Sequence, residues 1–465
     1  MAFDIRNYGG KTACVLGCGK SGVESARLLA ARGMRVLVSE EKKRAELKYA
    51  PEFSHPLIEA EFGGHTDRIF SCAFAVKSPG LFPQAAALRK LRASKIPVFS
   101  EMEVALSFLP ECEIFAVTGT NGKTTATALV DGILREEVRL RGCGAAYAGG
   151  NIGVPLSALA GKVKRGDFVT LEVSSYQLED SAFLRPDSAC VLNVTPDHLD
   201  HHGGMENYLA AKRKIFAQQD SGGICAFNAL DENCVKLSRD CPSKPLFFAS
   251  AKAPGGIALN AWLDGGKLVF EIDGARHSIT PPNLPGLHNM ENAMAAGLMT
   301  LGRGVSAGAV LSAFAAFKSV EHRLEDCGTI NGVRCINDSK ATNVDSTLVA
   351  LKALGAQKNI WLILGGLGKG APYAPLKPYI EKSVKTILTI GAEAPKIEAE
   401  LAGAAQFIPC GTLDKALAEC LASAKAGDIL LFSPACASFD QFTDFEHRGR
   451  YFKEIAARKL QKTTI

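Results

Sequence analysis

The strongest constraint on the fold is a glycine loop of the phosphate-binding type, V-T-G-T-N-G-K-T-T, at residues 117–125. An apolar stretch at 114–116 precedes the loop and a helical pattern follows it, so the loop joins a strand to a helix. Backbone amides of such a loop surround phosphates, while Lys123 can neutralise the β- and γ-phosphates and Thr124 can bind Mg²⁺. Val117 replaces the first glycine of the usual pattern, which makes the loop a shortened variant. The segment predicts an α/β domain that binds a nucleoside triphosphate.

A second glycine loop, G-C-G-K-S-G, occupies residues 17–22 between a predicted strand at 12–16 and a predicted helix at 22–32. A further predicted strand at 35–39 completes a βαβ unit and therefore a parallel sheet. Glycines at these positions allow backbone amides at a helix N-terminus to approach a pyrophosphate. Glu40 stands where a dinucleotide-binding fold holds a ribose. From these residues alone, a nucleoside diphosphate such as that of NAD and a tight turn without a ligand both remain open.

Length and composition limit the class of protein. A chain of 465 residues suggests about three domains at roughly 150 residues each. The net charge of +5 is small and the basic residues are scattered, so we expect no nucleic-acid partner. We also expect no membrane insertion, because no apolar run reaches the ~18 residues of a membrane span. The first residues do not resemble a signal peptide, and the 14 cysteines form no C-x-x-C pair. Free thiols in a reducing, cytoplasmic compartment are therefore expected.

Three regions differ in their pattern of apolar segments, and we predict domains at 1–101, 102–319 and 320–465. Each region alternates short apolar stretches with helical patterns, which is typical of α/β sheets. Beyond the strands already named, we predict strands at 73–77, 98–99, 114–118, 168–173, 189–193, 333–338, 360–364, 386–390 and 429–432. An alanine-rich helix is predicted near 292–301.

Acidic and histidine side chains follow two predicted strands of the middle region. Glu172 lies at the end of the strand at 168–173, and Asp197 and His198 follow the next strand. Because the carboxyl ends of parallel strands converge on one crevice, Glu172 and His198 are expected to meet Lys123 and Thr124 around a Mg²⁺–nucleotide complex. Two alternatives remain open for the segment H-L-D-H-H at 198–202, namely a zinc cluster and a surface loop.

Several longer motifs occur in order over almost the whole chain. They are G-T-N-G-K-T-T at 119–125, G-G-N-I-G at 149–153, E-V-S-S-Y-Q-L-E at 172–179, N-V-T-P-D-H-L-D at 193–200, A-A-K at 210–212, H-N-M-E-N at 288–292, H-R-L-E at 322–325, N-D-S-K-A-T-N at 337–343 and S-P-A-C-A-S-F-D-Q-F at 433–442. In this combination the chain resembles the Mur ligases of peptidoglycan synthesis.

The resemblance implies an α/β fold of three domains: a Rossmann-like amino-terminal domain, a central P-loop ATPase domain with a parallel sheet, and a Rossmann-like carboxyl-terminal domain. It implies a monomer that joins D-glutamate to UDP-N-acetylmuramoyl-L-alanine through an acyl phosphate. ATP and two Mg²⁺ ions are the implied cofactors, and CO₂ is implied to carbamylate Lys212. The first glycine loop is then expected to hold UDP rather than NAD.

The resemblance also implies a role for individual residues. Catalysis is assigned to Lys123, His198 and Lys212. The metal ligands are Thr124, Glu172, His198 and Lys212. ATP is expected to contact Gly119, Thr120, Asn121, Gly122, Lys123, Thr124, Thr125, Asn289, Asn292, Arg323 and Asp338. The UDP-substrate is expected to contact Gly17, Gly19, Lys20, Ser21, Gly22, Glu40, Ser78, Asn151 and His198. D-glutamate is expected to contact Lys340, Thr342, Lys369, Ser438, Phe439 and Phe445.

One position departs from the family pattern, because Leu367 stands beside Lys369 where a charged residue is usual. Three rival functions are a folylpolyglutamate synthase, a nucleotide-dependent switch and an NAD-dependent oxidoreductase. The first is disfavoured by the roughly 100 residues that precede the phosphate loop. A switch would need neither Lys212 nor the segment at 433–442, and an oxidoreductase would not need the phosphate loop.

Overall fold

A computed structural model describes residues 8–47, 53, 55–78, 80–81, 85–151, 153–318, 320–355 and 357–463. The chain divides into two compact units. The first comprises residues 1–282 and 290–317, and the second comprises 283–289 and 318–465. The predicted boundary at residue 319 lies outside the described residues.

The amino-terminal part of the first unit contains a five-stranded parallel sheet in the order β3-β2-β1-β4-β5. Its elements are β1 (Thr12–Leu16), α1 (Lys20–Ala31), β2 (Arg35–Glu40), β3 (Ile58–Phe62), β4 (Phe74–Lys77), α2 (Ala86–Ala93), β5 (Val98–Ser100) and α3 (Glu101–Leu106). The strand order reverses at β1, so the first glycine loop lies at the switch point where parallel sheets bind ligands.

The rest of the first unit is built on a nine-stranded sheet in the order β14-β13-β12-β11-β10-β9-β6-β8-β7. Its strands are β6 (Glu113–Thr118), β7 (Ala146–Gly150), β8 (Phe168–Glu172), β9 (Ser188–Val191), β10 (Ile224–Asn228), β11 (Lys244–Ala249), β12 (Ala261–Asp264), β13 (Lys267–Ile272) and β14 (Ala275–Ile279). The part of the sheet that comprises β6 to β12 pairs in parallel, as expected for the ATPase sheet. Strands β12, β13 and β14 pair antiparallel and extend the sheet beyond the parallel part predicted from the sequence.

Helices connect and cover these strands. They are α4 (Lys123–Arg141), α5 (Leu156–Leu159), α6 (Ser175–Glu179), α7 (Leu199–His202), α8 (Met205–Arg213), α9 (Glu232–Ser238), α10 (Leu287–Leu301) and α11 (Ala307–Ala316). The sheet is buried on both faces, because one apolar cluster includes side chains of α4 and α11 and a second includes side chains of α5, α8 and α9. This sandwich holds the carboxyl ends of β6, β8 and β9 rigidly at one edge.

The second unit contains a six-stranded sheet in the order β15-β16-β20-β17-β18-β19. Its elements are β15 (Glu325–Ile330), β16 (Val333–Asn337), α12 (Val344–Leu354), β17 (Ile360–Gly365), α13 (Lys377–Ser383), β18 (Val384–Ile390), α14 (Ala394–Glu400), β19 (Gln406–Gly411), α15 (Leu413–Ser423), β20 (Ile429–Phe432) and α16 (Phe445–Thr463). Only β15 pairs antiparallel among these described strands. Among the helices described here, none has both the length and the apolar character needed to cross a membrane.

Candidate functional site

The phosphate loop follows β6 and opens α4, as the sequence predicts. Gly122 precedes the helix at φ +85°, where residues with a side chain are strained. The loop is tied to the strand beside it, because Asn193 accepts from the Asn121 amide at 2.8 Å and donates to the Asn121 carbonyl at 3.1 Å. The Thr120 amide also donates to the Asn193 carbonyl at 2.9 Å. The loop is therefore rigid before any ligand binds.

Two lysines converge on one carbonyl oxygen of this loop. Lys123 Nζ donates to Gly119 O at 2.8 Å and to Thr120 O at 2.8 Å, and Lys212 Nζ donates to Gly119 O at 2.9 Å. Lys212 is only 1% exposed. Burial, followed by the neighbouring Lys123 charge, holds the pKa of Lys212 well below its usual value. Lys212 is thus shifted toward the neutral amine, which is the nucleophilic form of a lysine.

Glu172 ends β8 and is buried close to Asn151. Its Oε1 accepts from Asn151 Nδ2 at 3.1 Å, and its carbonyl accepts from the Asn151 amide at 2.8 Å. Its Oε2 is buried and has no hydrogen-bond partner among the residues that the structure describes. A buried carboxylate oxygen without a partner costs free energy unless a cation or a donor meets it. The position fits a hard divalent cation such as Mg²⁺.

His198 has the left-handed conformation, with φ +54°, and begins α7. A non-glycine residue in this conformation is strained and is held there by its surroundings. Its carbonyl accepts from the amides of His201 and His202 at 3.1 and 3.2 Å. The ring of Tyr176 packs against all three imidazoles. His198 itself is partly exposed, with Nε2 3.4 Å from Asp197 Oδ2.

The zinc alternative for the histidine segment is tested by its surroundings. His201 Nε2 lies 3.1 Å from Glu179 Oε2, and His202 Nδ1 lies 3.9 Å from Glu179 Oε1, so three potential ligands are close together. However, the ammonium of Lys77 lies 3.4 Å from Glu179 Oε2 and 2.5 Å from Asp180 Oδ2. Arg92 lies 2.9 Å from Asp180 Oδ1, so two cations already compensate these two carboxylates. A zinc ion would add two positive charges beside Lys77, so the arrangement does not favour zinc.

The first glycine loop shows why its glycines are required. A Cβ on Gly22 would lie 2.0 Å from the Gly17 carbonyl oxygen, and a Cβ on Gly17 would lie 2.8 Å from Ser78 Oγ. The Ser78 hydroxyl is buried and lies against the loop, and it has no hydrogen-bond partner within the described part of the chain. Glu40 Oε2 accepts from the Cys18 amide at 2.7 Å. Lys20, in the first turn of α1, donates to the Gly153 carbonyl and so links the loop to the residues after β7. Of the other predicted contacts, Gly19 is the N-cap of α1, and the Ser21 carbonyl accepts from the Ser25 hydroxyl at 2.8 Å.

The predicted adenine-nucleotide residues belong to both units. Asn292 lies in the first unit, where a Cβ on Gly122 would come within 2.4 Å of Asn292 Oδ1. In the second unit, Asn289 Nδ2 donates to the Pro285 carbonyl at 2.7 Å. Asp338, also in the second unit, accepts from the Leu324 amide at 3.2 Å and from the Ser433 hydroxyl at 2.7 Å. Burial raises the pKa of Asp338 to about 6, while the nearby Arg323 charge opposes that shift.

Most residues predicted to contact D-glutamate lie on the loops that follow β16, β17 and β20. Lys340 Nζ lies 5.3 Å from the centre of the Phe445 ring, a cation–π contact. The Thr342 amide donates to the Lys340 carbonyl at 2.8 Å. Ser438 is buried, whereas Phe439 is 68% exposed and therefore does not line a closed pocket within this unit. Lys369, which is also predicted to contact D-glutamate, is exposed. In the first unit, Thr125 of the phosphate loop is buried.

The unusual Leu367 takes part in the structure through its backbone. Its amide donates to the Ala437 carbonyl and its carbonyl accepts from the Ala437 amide, both at 2.9 Å. The side chain is 43% exposed. The residue's main-chain pairing joins the loop carrying Lys369 to the segment carrying Ser438, and this pairing does not depend on a charged side chain.

Comparisons with known proteins agree with this arrangement. The Mur ligase middle domain matches residues 117–300, the Mur ligase glutamate ligase domain matches 322–436, and the MurD N-terminal domain matches 12–87. A UDP-N-acetylmuramoylalanine–D-glutamate ligase from Elusimicrobium minutum is 48% identical over 97% of this chain and 99% of its own length. The chain belongs to the Mur ligase family. The ligase of the same name from Koribacter versatilis is 40% identical over 99% of both chains.

Solved structures of Mur ligases share the fold. The UDP-N-acetylmuramate–alanine ligase of Thermotoga maritima matches with a TM-score of 0.60 at 19% identity, covering 97% of this chain and 100% of that one. The MurF ligase of the same organism, in complex with ADP, also gives a TM-score of 0.60, at 16% identity over 99% and 98% of the two chains. This Mur ligase therefore has the three-domain α/β architecture that the sequence predicted, and the oxidoreductase alternative is wrong.

Sequence reasoning missed several residues that shape the site of this Mur ligase. Asn193 locks the phosphate loop through its side chain, and Tyr208 meets Thr120 Oγ1 at 3.0 Å. The signal for Asn193 was its place directly after an apolar strand at the level of the loop. Arg448, in the carboxyl-terminal helix, is buried against the loops that carry the residues predicted to contact D-glutamate. No local pattern distinguishes Arg448 from the exposed basic residues around it.

Proposed function

We propose that this Mur ligase joins D-glutamate to UDP-N-acetylmuramoyl-L-alanine, using ATP and passing through an acyl phosphate. The observation that carries the proposal is the buried Lys212 beside Lys123 at the phosphate loop. A nucleotide hydrolase or switch has no use for a second, buried lysine at that carbonyl. The choice of substrates is supported by the names of the full-length relatives from Elusimicrobium minutum and Koribacter versatilis.

Lys212 is the proposed site of carbamylation. Its neutral amine attacks the carbon of CO₂, the nitrogen loses a proton, and a carbamate anion forms on Nζ. The depressed pKa supplies the neutral amine that this reaction needs. The product also removes the repulsion with Lys123 and provides a hard oxygen ligand where an ammonium stood.

The proposed ligands of two Mg²⁺ ions are Thr124, Glu172, His198 and the carbamate of Lys212. The unpartnered Oε2 of Glu172 and the oxygen-rich donor set fit this metal. When bound, Mg²⁺ would neutralise negative charge on the phosphates and on the carboxylate, two anions that must approach each other. Lys123 contributes a fixed positive charge to the same phosphates.

The chemistry proceeds in two proposed steps. The carboxylate of the L-alanyl group attacks the γ-phosphorus of ATP, ADP leaves, and an acyl phosphate forms. The amine of D-glutamate then attacks the acyl carbon, and phosphate leaves from the tetrahedral intermediate as the amine loses a proton. His198 is one candidate acceptor for that proton, beside substrate and water. Positioning and charge neutralisation account for the rate, because the protein forms no covalent bond to either substrate.

Binding roles are proposed for each part of the chain. The loop at 17–22, with Glu40, Ser78 and Asn151, takes the UDP-substrate, and the loop at 119–125, with Asn289, Asn292, Arg323 and Asp338, takes ATP. D-glutamate is assigned to Lys340, Thr342, Lys369, Ser438, Phe439 and Phe445. We assign these functions to domains at 1–101, 102–319 and 320–465, in a monomer that works in the cytoplasm, where ATP is present and its thiols stay reduced.

Phosphate release tests the proposal. The full chain is incubated with ATP, Mg²⁺ and UDP-N-acetylmuramoyl-L-alanine, with D-glutamate, L-glutamate, L-alanine or no amino acid added. We expect release that depends on D-glutamate, with one peptide product per phosphate, and expect Lys123→Ala to abolish both. Release at the same rate without any amino acid, and without a peptide product, would leave only a nucleotide hydrolase.

A further inference from the structure

Among the described residues, Arg448 has the largest fully buried side chain, and it is 1% exposed. Among the residues that the structure describes, no carboxylate forms an ion pair with its guanidinium. Burial lowers the pKa of Arg448 to about 10, and the charge of Asp440 at longer range only partly offsets this. A buried cation without an ion-pair partner is costly, so its presence calls for an explanation other than stability.

The guanidinium joins two loops of the second unit. Its Nε donates to Ser339 Oγ at 3.1 Å and one terminal nitrogen donates to Ser339 O at 2.8 Å. The same nitrogen donates to Cys436 O at 3.1 Å, and the other terminal nitrogen donates to Ala437 O at 3.2 Å. Ser339 and Ala437 are the immediate neighbours of Lys340 and Ser438. Arg448 therefore fixes the backbone on which two of the proposed D-glutamate contacts stand.

A third loop meets the same side chain. A Cβ on Gly366 would lie 3.1 Å from Arg448 Nη1 and 2.3 Å from the Ala437 carbonyl oxygen. Gly366 belongs to the loop that leads to Lys369, and the next residue pairs with Ala437 through its backbone. Only a planar guanidinium, with five donors in a rigid fork, can hold acceptors from separate loops at set angles. A lysine offers a point charge on a flexible stem instead.

We propose that Arg448 is a positioning residue of the amino-acid pocket, which holds Ser339 and the 436–437 backbone at the separation that D-glutamate binding requires. This inference rests on the proposed function. Arg448 touches no substrate in this account and acts through Lys340, Lys369 and Ser438. Burying the charge of Arg448 costs free energy. We attribute the presence of this residue to the geometry that it imposes on three loops rather than to packing.

The test compares Arg448→Lys and Arg448→Met with the matched control Arg450→Met, which removes an exposed arginine two residues away. We expect the KM for D-glutamate to rise by about 10- to 100-fold in both Arg448 variants, because charge-assisted hydrogen bonds are lost. The KM values for ATP and for the UDP-substrate should stay within about twofold of wild type. The control should keep all three values. If Arg448→Met does not fold, Arg448→Lys carries the test, because it preserves the charge and most of the volume.

A double-variant cycle adds a readout that general destabilisation would not produce. Ser339→Ala removes the hydroxyl that accepts from Arg448 Nε and that also donates to the Phe445 carbonyl at 2.8 Å. The part of its effect on the D-glutamate KM that comes from the lost Nε contact should not add to the effect of Arg448→Lys. An unchanged D-glutamate KM in Arg448→Lys, or an equal rise in all three KM values, would overturn this inference alone. If the wild-type protein shows no turnover that depends on D-glutamate, the proposed function is overturned, and this inference is overturned with it.

Discussion

Replacing Gly122 by alanine should damage both the phosphate loop and the nucleotide contact proposed for the neighbouring Asn292. An alanine at φ +85° costs about 1–2 kcal/mol of stability, because its Cβ is too close to its own backbone. The new Cβ would also lie 2.4 Å from Asn292 Oδ1, so that side chain must move. Loss of one oriented contact worth about 1.4 kcal/mol raises the KM for ATP about tenfold. The assays are thermal unfolding and phosphate release as a function of ATP concentration.

Gly132 provides a matched control in the same helix, α4. No atom of a described residue lies within 4 Å of a Cβ at this position, so Gly132→Ala should gain about 0.5–1 kcal/mol from helix propensity. The two variants are therefore expected to shift the unfolding temperature in opposite directions, by roughly 2–4 °C per kcal/mol. If Gly122→Ala unfolds no earlier than wild type and keeps its KM for ATP, the proposed rigidity of the loop is refuted.

Three further predictions concern single residues. Gly22→Ala should raise the KM for the UDP-substrate about tenfold or more and leave that for ATP unchanged, because its Cβ would lie 2.0 Å from the Gly17 carbonyl; a uniform change in both KM values would argue against a local effect. Burial lowers the pKa of His202 to about 4, whereas its pKa in the unfolded chain is about 6.5, so the unfolded state binds a proton first as the pH falls. The stability that neutral His202 contributes above pH 6.5 should therefore be lost between about pH 6.5 and pH 4. Urea unfolding at several pH values should show a smaller loss in His202→Asn, and an identical slope would contradict the assignment. Lys212→Arg keeps a cation but forms no carbamate, so activity should fall by about 100-fold or more. Added bicarbonate should raise the activity of CO₂-depleted wild-type protein and leave that of the variant unchanged. Stimulation of the variant by bicarbonate would count against carbamylation.

Much of the scaffold follows from local sequence because the strands of a parallel sheet are short apolar runs between glycine-rich turns. The bounds predicted for β1 and β20 coincide with those of the structure. The helix predicted near 292–301 begins earlier, at Leu287, because its start contains the polar residues His288, Asn289 and Glu291 and lacks the alanine-rich pattern of the rest. The predicted strand at 189–193 ends at Val191, since Asn193 turns its side chain to the phosphate loop instead of continuing the ladder.

Other parts could not be predicted because their cause lies in distant contacts. Strands β12, β13 and β14 pair antiparallel through two tight turns, and they extend a sheet whose remaining strands are parallel. The sequence does not predict a strand at Ile58–Phe62, because its alternating glutamates interrupt the apolar run that marks a buried strand. The strand lies at the edge of the sheet and is half exposed. Arg448 reads as one more basic residue in an amphipathic helix until the loops around it are in place. The burial of Lys212, likewise, is decided by the fold, and sequence alone favours an exposed helical lysine.

The most direct test of the account follows one oxygen atom. UDP-N-acetylmuramoyl-L-alanine is prepared with heavy oxygen in its alanyl carboxylate and is converted with ATP and D-glutamate, and the released phosphate is analysed by mass spectrometry. Activation as an acyl phosphate predicts that each phosphate carries one heavy oxygen from the carboxylate and that each event yields one D-glutamyl amide. Unlabelled phosphate would show that the carboxylate never attacks ATP, and would contradict the ligase mechanism at its first step.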